Sequence, residues 1–433
     1  MYLTSVNQLL TTILASFVRQ YWPLLAYTGL SPARPLSRSL SSFASPTLTQ
    51  PGGKAAMPCH LCPRPLHFSP MLAPPLAFIY HERYGGRGTA HHRLSESWKR
   101  YEAILDLSVE LGLDVRFYRQ SVASDADLRR VHTQPYIDWV RQMDLRAEGF
   151  LDRRDTPAYR GIFHRAAVAV GGTLLGVRLI ADGVALRAFN PGGGLHHARA
   201  AATSGFCVFN DLAVAVRWLM DERGIQRPLV IDVDGHHGDG TQEIFYDQPI
   251  LTVSLHQYDG RFYPGTGAVE EIGTGAGIGY NINVPLPRRT GTGPYLRAMD
   301  ELILPVARAY DPDFILLQFG ADAHWMDRLV SLRLTAQDYG ALMQRFLTLA
   351  EETAARGRLM IAGGGGYNPD AVVRSWAIAL ATATGQPERT RHLHDDLSQA
   401  KPGDSQREAE AHATIDRAKA IHLPRWLPQR ATA

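Results

Sequence analysis

The sequence predicts a single three-layer α/β/α domain with a mainly parallel central sheet, and three observations carry that expectation. Short, continuous apolar runs occur at 229–234, 250–255, 314–319 and 359–362, the pattern of strands buried on both faces. Helical stretches lie around them at 95–113, 161–181, 211–222, 295–310 and 335–355, an alternation that places a sheet between helical layers. Segments rich in Gly, His and Asp follow several of the strand runs, and in such sheets ligands bind beyond the carboxyl ends of the strands.

The 433 residues divide into three zones. Residues 1–74 are poor in acid and rich in Ser, Pro, Ala and Arg. They are expected to stand outside the fold, as an organellar targeting leader or as upstream sequence ahead of a true start at Met57 or Met71. Residues 75–385 form the predicted domain. Residues 386–433 turn polar and charged and are expected to form a tail.

Apolar residues make up 45% and charged residues 20%, as in ordinary soluble proteins. Five of the 45 basic residues (Arg19, Arg34, Arg38, Lys54, Arg64) precede residue 82, in a stretch with no Asp or Glu, which leaves 40 basic against 42 acidic residues in the remainder. The pI of about 8.7 therefore belongs to the leader and does not mark a nucleic-acid-binding domain. Three cysteines fit a reducing compartment, and cytoplasmic residence is the expectation. The Cys59-x-x-Cys62 pair lacks a partner pair and does not sit between a strand and a helix. Met1 to Val18 is diluted by polar residues and is not expected to cross a membrane.

Chemistry concentrates in three segments. In Asp232-Val233-Asp234-Gly235-His236-His237-Gly238-Asp239-Gly240, residues two apart share one side of an extended chain, so Asp232, Asp234 and His236 converge. Two carboxylates and an imidazole are costly to bury without a cation; the plain alternative is a charged strand end facing water. Asp322, just past the run 314–319, stands where a neighbouring strand would supply a third ligand. Two carboxylates and one His leave an open position, as in catalytic zinc sites. The second segment, Asn190-Pro191-Gly192-Gly193-Gly194-Leu195-His196-His197, offers tandem histidines for acid–base work, and Asp232 and Asp239 are candidates to orient one imidazole each. The third, Gly363-Gly364-Gly365-Gly366-Tyr367, allows a tight turn that presents the Tyr367 hydroxyl to a polarised carbonyl oxygen. No helix-opening Lys-Ser/Thr follows it, which counts against a phosphate cradle.

These segments, with Asp155-Thr156-Pro157-Ala158, Ser204-Gly205-Phe206-Cys207-Val208-Phe209-Asn210-Asp211 and Pro264-Gly265-Thr266-Gly267, stand in the order found in the zinc-dependent histone deacetylase family. The chain resembles that family, including its bacterial-type amidohydrolases, over residues 76–385. The resemblance implies the arginase/deacetylase fold and one catalytic zinc held by Asp234, His236 and Asp322. It implies His197, paired with Asp239, as general base, and His196, paired with Asp232, as the group that stabilises charge and protonates the leaving amine. Tyr367 would bind the acyl oxygen; Gly205, Phe206 and Tyr263 would wall the acyl-lysine tunnel; Asp155 at the rim would grip the substrate backbone. Cys207 would be a buried wall residue. A structural potassium would sit at Asp232, Ser254 and Leu255. An arginine of the family's opening motif, matched by Arg93, would serve product exit. Met326 departs from the family pattern, which commonly has Gly or Asp there.

The implied substrate is an acylated lysine in proteins. The alternatives are an acetylated polyamine or other small amine, and a non-catalytic module that recognises acyl-lysine. Neither nucleic acid nor a membrane is an expected partner.

Overall fold

The computed structural model describes residues 75–85, 99–153 and 155–427. The leader 1–74 with Cys59 and Cys62, and the opening-motif residues His91, His92 and Arg93, lie outside the described residues.

Eight strands form one sheet: β1 (Leu76–Tyr80), β2 (Val115–Arg119), β3 (Arg187–Asn190), β4 (Pro228–Asp232), β5 (Leu251–Gln257), β6 (Asn281–Leu286), β7 (Phe314–Gln318) and β8 (Leu359–Ala362). Their order is β2-β1-β3-β8-β7-β4-β5-β6, and every pairing is parallel. The four apolar runs expected as strands are β4, β5, β7 and β8. All residues of these four strands are buried.

Alternate residues feed two cores, one on each side of the sheet. Leu229, Ile231, Ile315 and Leu317 join the core that also holds Tyr339, Phe346, Val372 and Trp376. Val230, Phe314 and Leu316 join the other, with Val170, Leu174, Leu212 and Val216. This period-two split makes the domain three-layered. The helix Ile162–Ala181 is the one described helix long and apolar enough to cross a membrane. Here it is a core helix, packed on β1, β3 and β8 and on the helix Asp211–Arg223.

Two elements differ from expectation. The stretch 295–310 is not one regular helix: Thr292–Ala298 passes through a π-turn, Met299–Ile303, into Leu304–Tyr310. Pro305 lacks the N–H that a continuous α-helix needs at that point. Residues 386–427, the described part of the expected tail, are structured. They form a 3₁₀ turn, Pro387–Leu393, and a helix, Ser405–Trp426, whose Ala411, Ile415 and Ala418 are fully buried. Trp426 donates its indole N–H to the Gly279 carbonyl at 3.1 Å and packs edge-on against Tyr280 and Tyr310.

Candidate active site

The loops that carry the predicted metal ligands, tandem histidines and tyrosine leave β3, β8, β7 and β4, four adjacent strands of the sheet. Sequence segments as distant as residues 190 and 367 therefore meet beyond the carboxyl ends of these central strands. Local signals fix each loop. Asn210 caps the helix Asp211–Arg223 by accepting the Ala213 N–H at 2.9 Å. Asp211, first in that helix, accepts the Leu195 N–H at 2.7 Å and the Gly194 N–H at 3.0 Å, which anchors the loop before the tandem histidines. Asn368 caps Pro369–Ala383 in the same way and ends the glycine loop just after Tyr367.

Asp234, His236 and Asp322 form the one group of possible metal ligands found among the described residues, with their donor atoms within 4.8 Å of one another. His236 Nδ1 lies 2.8 Å from Asp322 Oδ2 and 3.2 Å from Asp234 Oδ1. Asp234 and Asp322 are only 1% and 0% exposed. Burial and the neighbouring Asp234 carboxylate push the Asp322 carboxyl up, a sign that this much negative charge calls for a cation. The backbone makes room for it: a Cβ on Gly365 would stand 2.6 Å from Asp322 Oδ2 and 2.7 Å from Asp234 Oδ2. The donor set thus fits zinc, with three protein ligands and an open side.

The tandem histidines flank this group, with ring centroids 4.0 Å apart. His196 Nδ1 pairs with Asp232 Oδ2 at 2.7 Å, and His197 Nδ1 with Asp239 Oδ1 at 2.6 Å. Burial pulls both imidazoles down. For His196 the Asp232 and Asp234 carboxylates outweigh burial and raise it to about 9. For His197, burial and the charge of His196 outweigh Asp239 and lower it to about 4. The surrounding carboxylates and burial thus push the adjacent rings in opposite directions, His196 toward the charged form and His197 toward the neutral one. The Tyr367 phenol is pushed up by burial and by the Asp322 and Asp234 carboxylates, so it stays a donor.

The mouth is shaped by a two-residue turn. Ser204 and Cys207 exchange backbone hydrogen bonds of 2.8 and 3.2 Å. The residues between them, Gly205 and Phe206, have φ of +50° and +66°, the pair of left-handed conformations of a type I′ turn. A Cβ on Gly205 would meet His197 Cδ2 at 2.4 Å. Phe206, 38% exposed, faces Tyr367 with ring centroids 6.5 Å apart. Tyr263 hydrogen-bonds Ser204 Oγ through its hydroxyl at 2.6 Å and sets its ring edge-on to His197 at 5.1 Å. Asp155 is exposed, and its neighbours Thr156 and Pro157 line the same cavity.

That cavity, about 180 Å³, runs from Phe206 past His196, His197, Asp234, His236 and Tyr367 to an inner chamber lined by Tyr84, Arg100, Tyr101 and Arg165. Arg100 donates to the Gly364 and Gly366 carbonyls at 2.7 Å each. Arg100 thus anchors a guanidinium behind the site, while Arg93 lies outside the described residues. Cys207 is buried in the wall, and burial pushes its thiol up. Ser254 and Leu255 lie one strand over on β5, with Ser254 opposite Asp232 in register.

Several supporting residues were not read from the sequence. Gln318 donates its amide to Asp234 Oδ2 at 2.7 Å and accepts the Gly320 N–H at 2.7 Å. Its signal was a lone amide ending an apolar strand. Arg199 donates to Asp239 Oδ2 at 3.0 Å, and Asp327 Oδ2 accepts the Tyr367 N–H at 2.7 Å. Neither pairing has a sequence signal, because the partners are 40 positions apart in each case.

Comparison with known proteins gives the class first. The histone deacetylase domain profile matches residues 94–383, and the chain belongs to that family. Individual relatives follow. The chain is 41% identical over 250 residues to a "Probable deacetylase" of Archaeoglobus fulgidus, covering 57% of this chain and 67% of that protein. It is 40% identical over 265 residues to the acetoin utilization protein AcuC of Bacillus subtilis, covering 59% and 68%. It is 34% identical over 281 residues to the AcuC protein of Staphylococcus aureus strain MRSA252, covering 63% and 72%.

Proposed function

We propose that the chain is a zinc-dependent deacetylase that hydrolyses acetyl-lysine side chains of proteins and acts in the cytoplasm. One observation carries this reading: Asp234 and His236, grouped with the buried Asp322, border the same cavity as two carboxylate-bound histidines and the Tyr367 phenol. When bound there, zinc would polarise the acyl carbonyl and lower the pKa of water.

The remaining work falls to side chains. Asp239 holds the Nδ1–H of His197, which leaves Nε2 to take the proton of the attacking water. His196, charged through Asp232, opposes negative charge as it develops and hands a proton to the leaving lysine amine. Tyr367 donates to the acyl oxygen, a contact worth about 10²–10³ in rate. Water adds to the carbonyl, the C–N bond breaks, and a carboxylate and a protonated amine leave. Gly205, Phe206 and Tyr263 enclose the lysine stem, and Asp155 binds the peptide backbone at the mouth. A potassium ion held at Asp232, Ser254 and Leu255 would brace the metal loop from β5.

The test is hydrolysis by the zinc-loaded protein of acetyl-lysine peptides, longer acyl-lysines and acetylated polyamines, with Tyr367→Phe as control. Acetyl-lysine turnover reduced about 10²–10³-fold in the variant, with zinc retained, is expected. Turnover of acetylated polyamines alone would replace the substrate. No turnover on any of them would remove the enzymatic reading.

A further inference from the structure

Beyond the stretch matched by the family domain lies Asp395, in the segment expected to be a tail. Its side chain is 5% exposed and gathers four donors. Oδ2 accepts from His324 Nε2 at 2.8 Å, Trp325 Nε1 at 3.2 Å and the Ala336 N–H at 2.9 Å; Oδ1 accepts from Arg374 Nη1 at 2.5 Å. The backbone is held as well, since the Asp395 N–H donates to Gln337 Oε1 at 3.0 Å. A carboxylate so enclosed has one geometry, and so do the groups that bind it.

Two of those groups, His324 and Trp325, lie on the loop that builds the site; Ala336 and Arg374 tie it to the helices Ala336–Glu352 and Pro369–Ala383. His324 follows Asp322 by two residues and is fully buried. Its Nδ1 accepts the Met326 N–H at 3.1 Å, so Nε2 carries the proton donated to Asp395. Asp327 donates its N–H to the His324 carbonyl at 2.9 Å, and its carboxylate accepts the Tyr367 N–H at 2.7 Å and the Val330 N–H at 3.1 Å. Val330 in turn presses on Gly235, the residue between Asp234 and His236, where a Cβ would stand 2.6 Å from Val330 Cγ1. Met326, the departure from the family pattern, sits inside this arrangement, with its sulfur 3.7 Å from Arg374 Nη2.

We propose that Asp395 is a positioning residue for deacetylation. From outside the family domain it clamps residues 322–330, and through them it sets the Asp322 carboxylate and the Tyr367 backbone against the metal position. This rests on the roles assigned to Asp322 and Tyr367 above. Direct outer partners of metal ligands typically change metal affinity or activity by about 10- to 100-fold, which sets the upper scale for Asp395, one contact further out.

The test compares full-length wild type with Asp395→Asn, Asp395→Glu and Asp416→Asn. Asp416 pairs with Arg297 at 2.5 Å and docks the C-terminal helix without reaching the loop. Asp395→Asn is expected to lower kcat on an acetyl-lysine peptide by up to about 10- to 100-fold with little change in KM, and to shift the visible absorption of the cobalt-loaded protein. Asp395→Glu, which keeps the charge, is expected to recover part of the loss. Asp416→Asn is expected to lower the unfolding temperature with the cobalt spectrum unchanged. Wild-type kcat and an unaltered spectrum in Asp395→Asn would overturn the proposal. If that variant does not fold, Trp325→Phe removes one donor alone, and unchanged kcat and spectrum there overturn it equally. An inactive wild type would defeat the proposed function, while the cobalt spectra would still decide the clamp.

Discussion

His196 and His197 are consecutive in the chain, yet their imidazoles are bound to different carboxylates, Asp232 at the end of β4 and Asp239 at the start of the next helix. Asp232 faces His196 alone among the histidines, whereas Asp239 divides its oxygens between His197 and the guanidinium of Arg199. The neighbouring rings therefore have different chemical standing.

If that division of labour holds, removing charge from either carboxylate harms catalysis without dismantling the site. Asp239→Asn and Asp232→Asn are each expected to lower kcat by about 10²–10⁴, the range of positioned acid–base catalysis. Zinc content, measured by elemental analysis, should stay near one per chain. A variant with wild-type kcat would show that its histidine needs no orienting partner.

Gly205 is predicted to tolerate no side chain. An added methyl would meet His197 Cδ2 at 2.4 Å on a backbone already at φ +50°. Gly205→Ala should lose most activity and lower the unfolding temperature, whereas alanine at Gly183, where nothing lies within 4 Å, should affect stability through backbone strain alone. Matched thermal melts and peptide turnover distinguish the two sites.

Gln318 holds Asp234 Oδ2 from the side opposite His236, so its loss should be felt by the metal before the fold. Gln318→Leu is expected to weaken zinc binding by about 10- to 100-fold in a chelator competition. Equal affinity in the two proteins would assign the amide to packing only.

A separate titration should govern acid stability. His132 Nε2 accepts the Asn210 N–H at 3.0 Å, so Nδ1 carries the proton that faces the Arg199 carbonyl at 3.1 Å. Burial lowers this imidazole to about 4 from an ordinary value of 6.5. A depressed histidine favours folding fully above the unfolded value of 6.5, and that contribution is lost as pH falls toward 4. The loss is about 3 kcal/mol over that interval. Urea unfolding of wild type at pH 7, 5.5 and 4 should show it, and His132→Asn should flatten the dependence. An equally steep slope in the variant would place the acid sensitivity elsewhere.

Much of this was legible because parallel strands buried on both faces announce themselves. The runs that became β4, β5, β7 and β8 needed only aliphatic continuity, and the residues after β4, β7 and β8 carried their chemistry in plain view. The short β3, Arg187–Asn190, and the exposed edge strand β2, with its two arginines, lack that signature. The C-terminal helix hid for another reason: it buries Ala411, Ile415, Ala418 and His422, and a single large aliphatic side chain leaves little trace in hydrophobic periodicity. Asp395 could not be foreseen, since its importance comes from four donors scattered between residues 324 and 374.

The strand order has a consequence for how the site is put together. β8, late in the chain, lies between β3 and β7, so it is the strand that joins the loop bearing His196 to the loop bearing Asp322 and brings Tyr367 with it. Asp234, His236 and Asp322 follow β4 and β7, which pair directly, so the ligand group belongs to one half of the sheet and the tandem histidines to the other, with β8 as the seam between them.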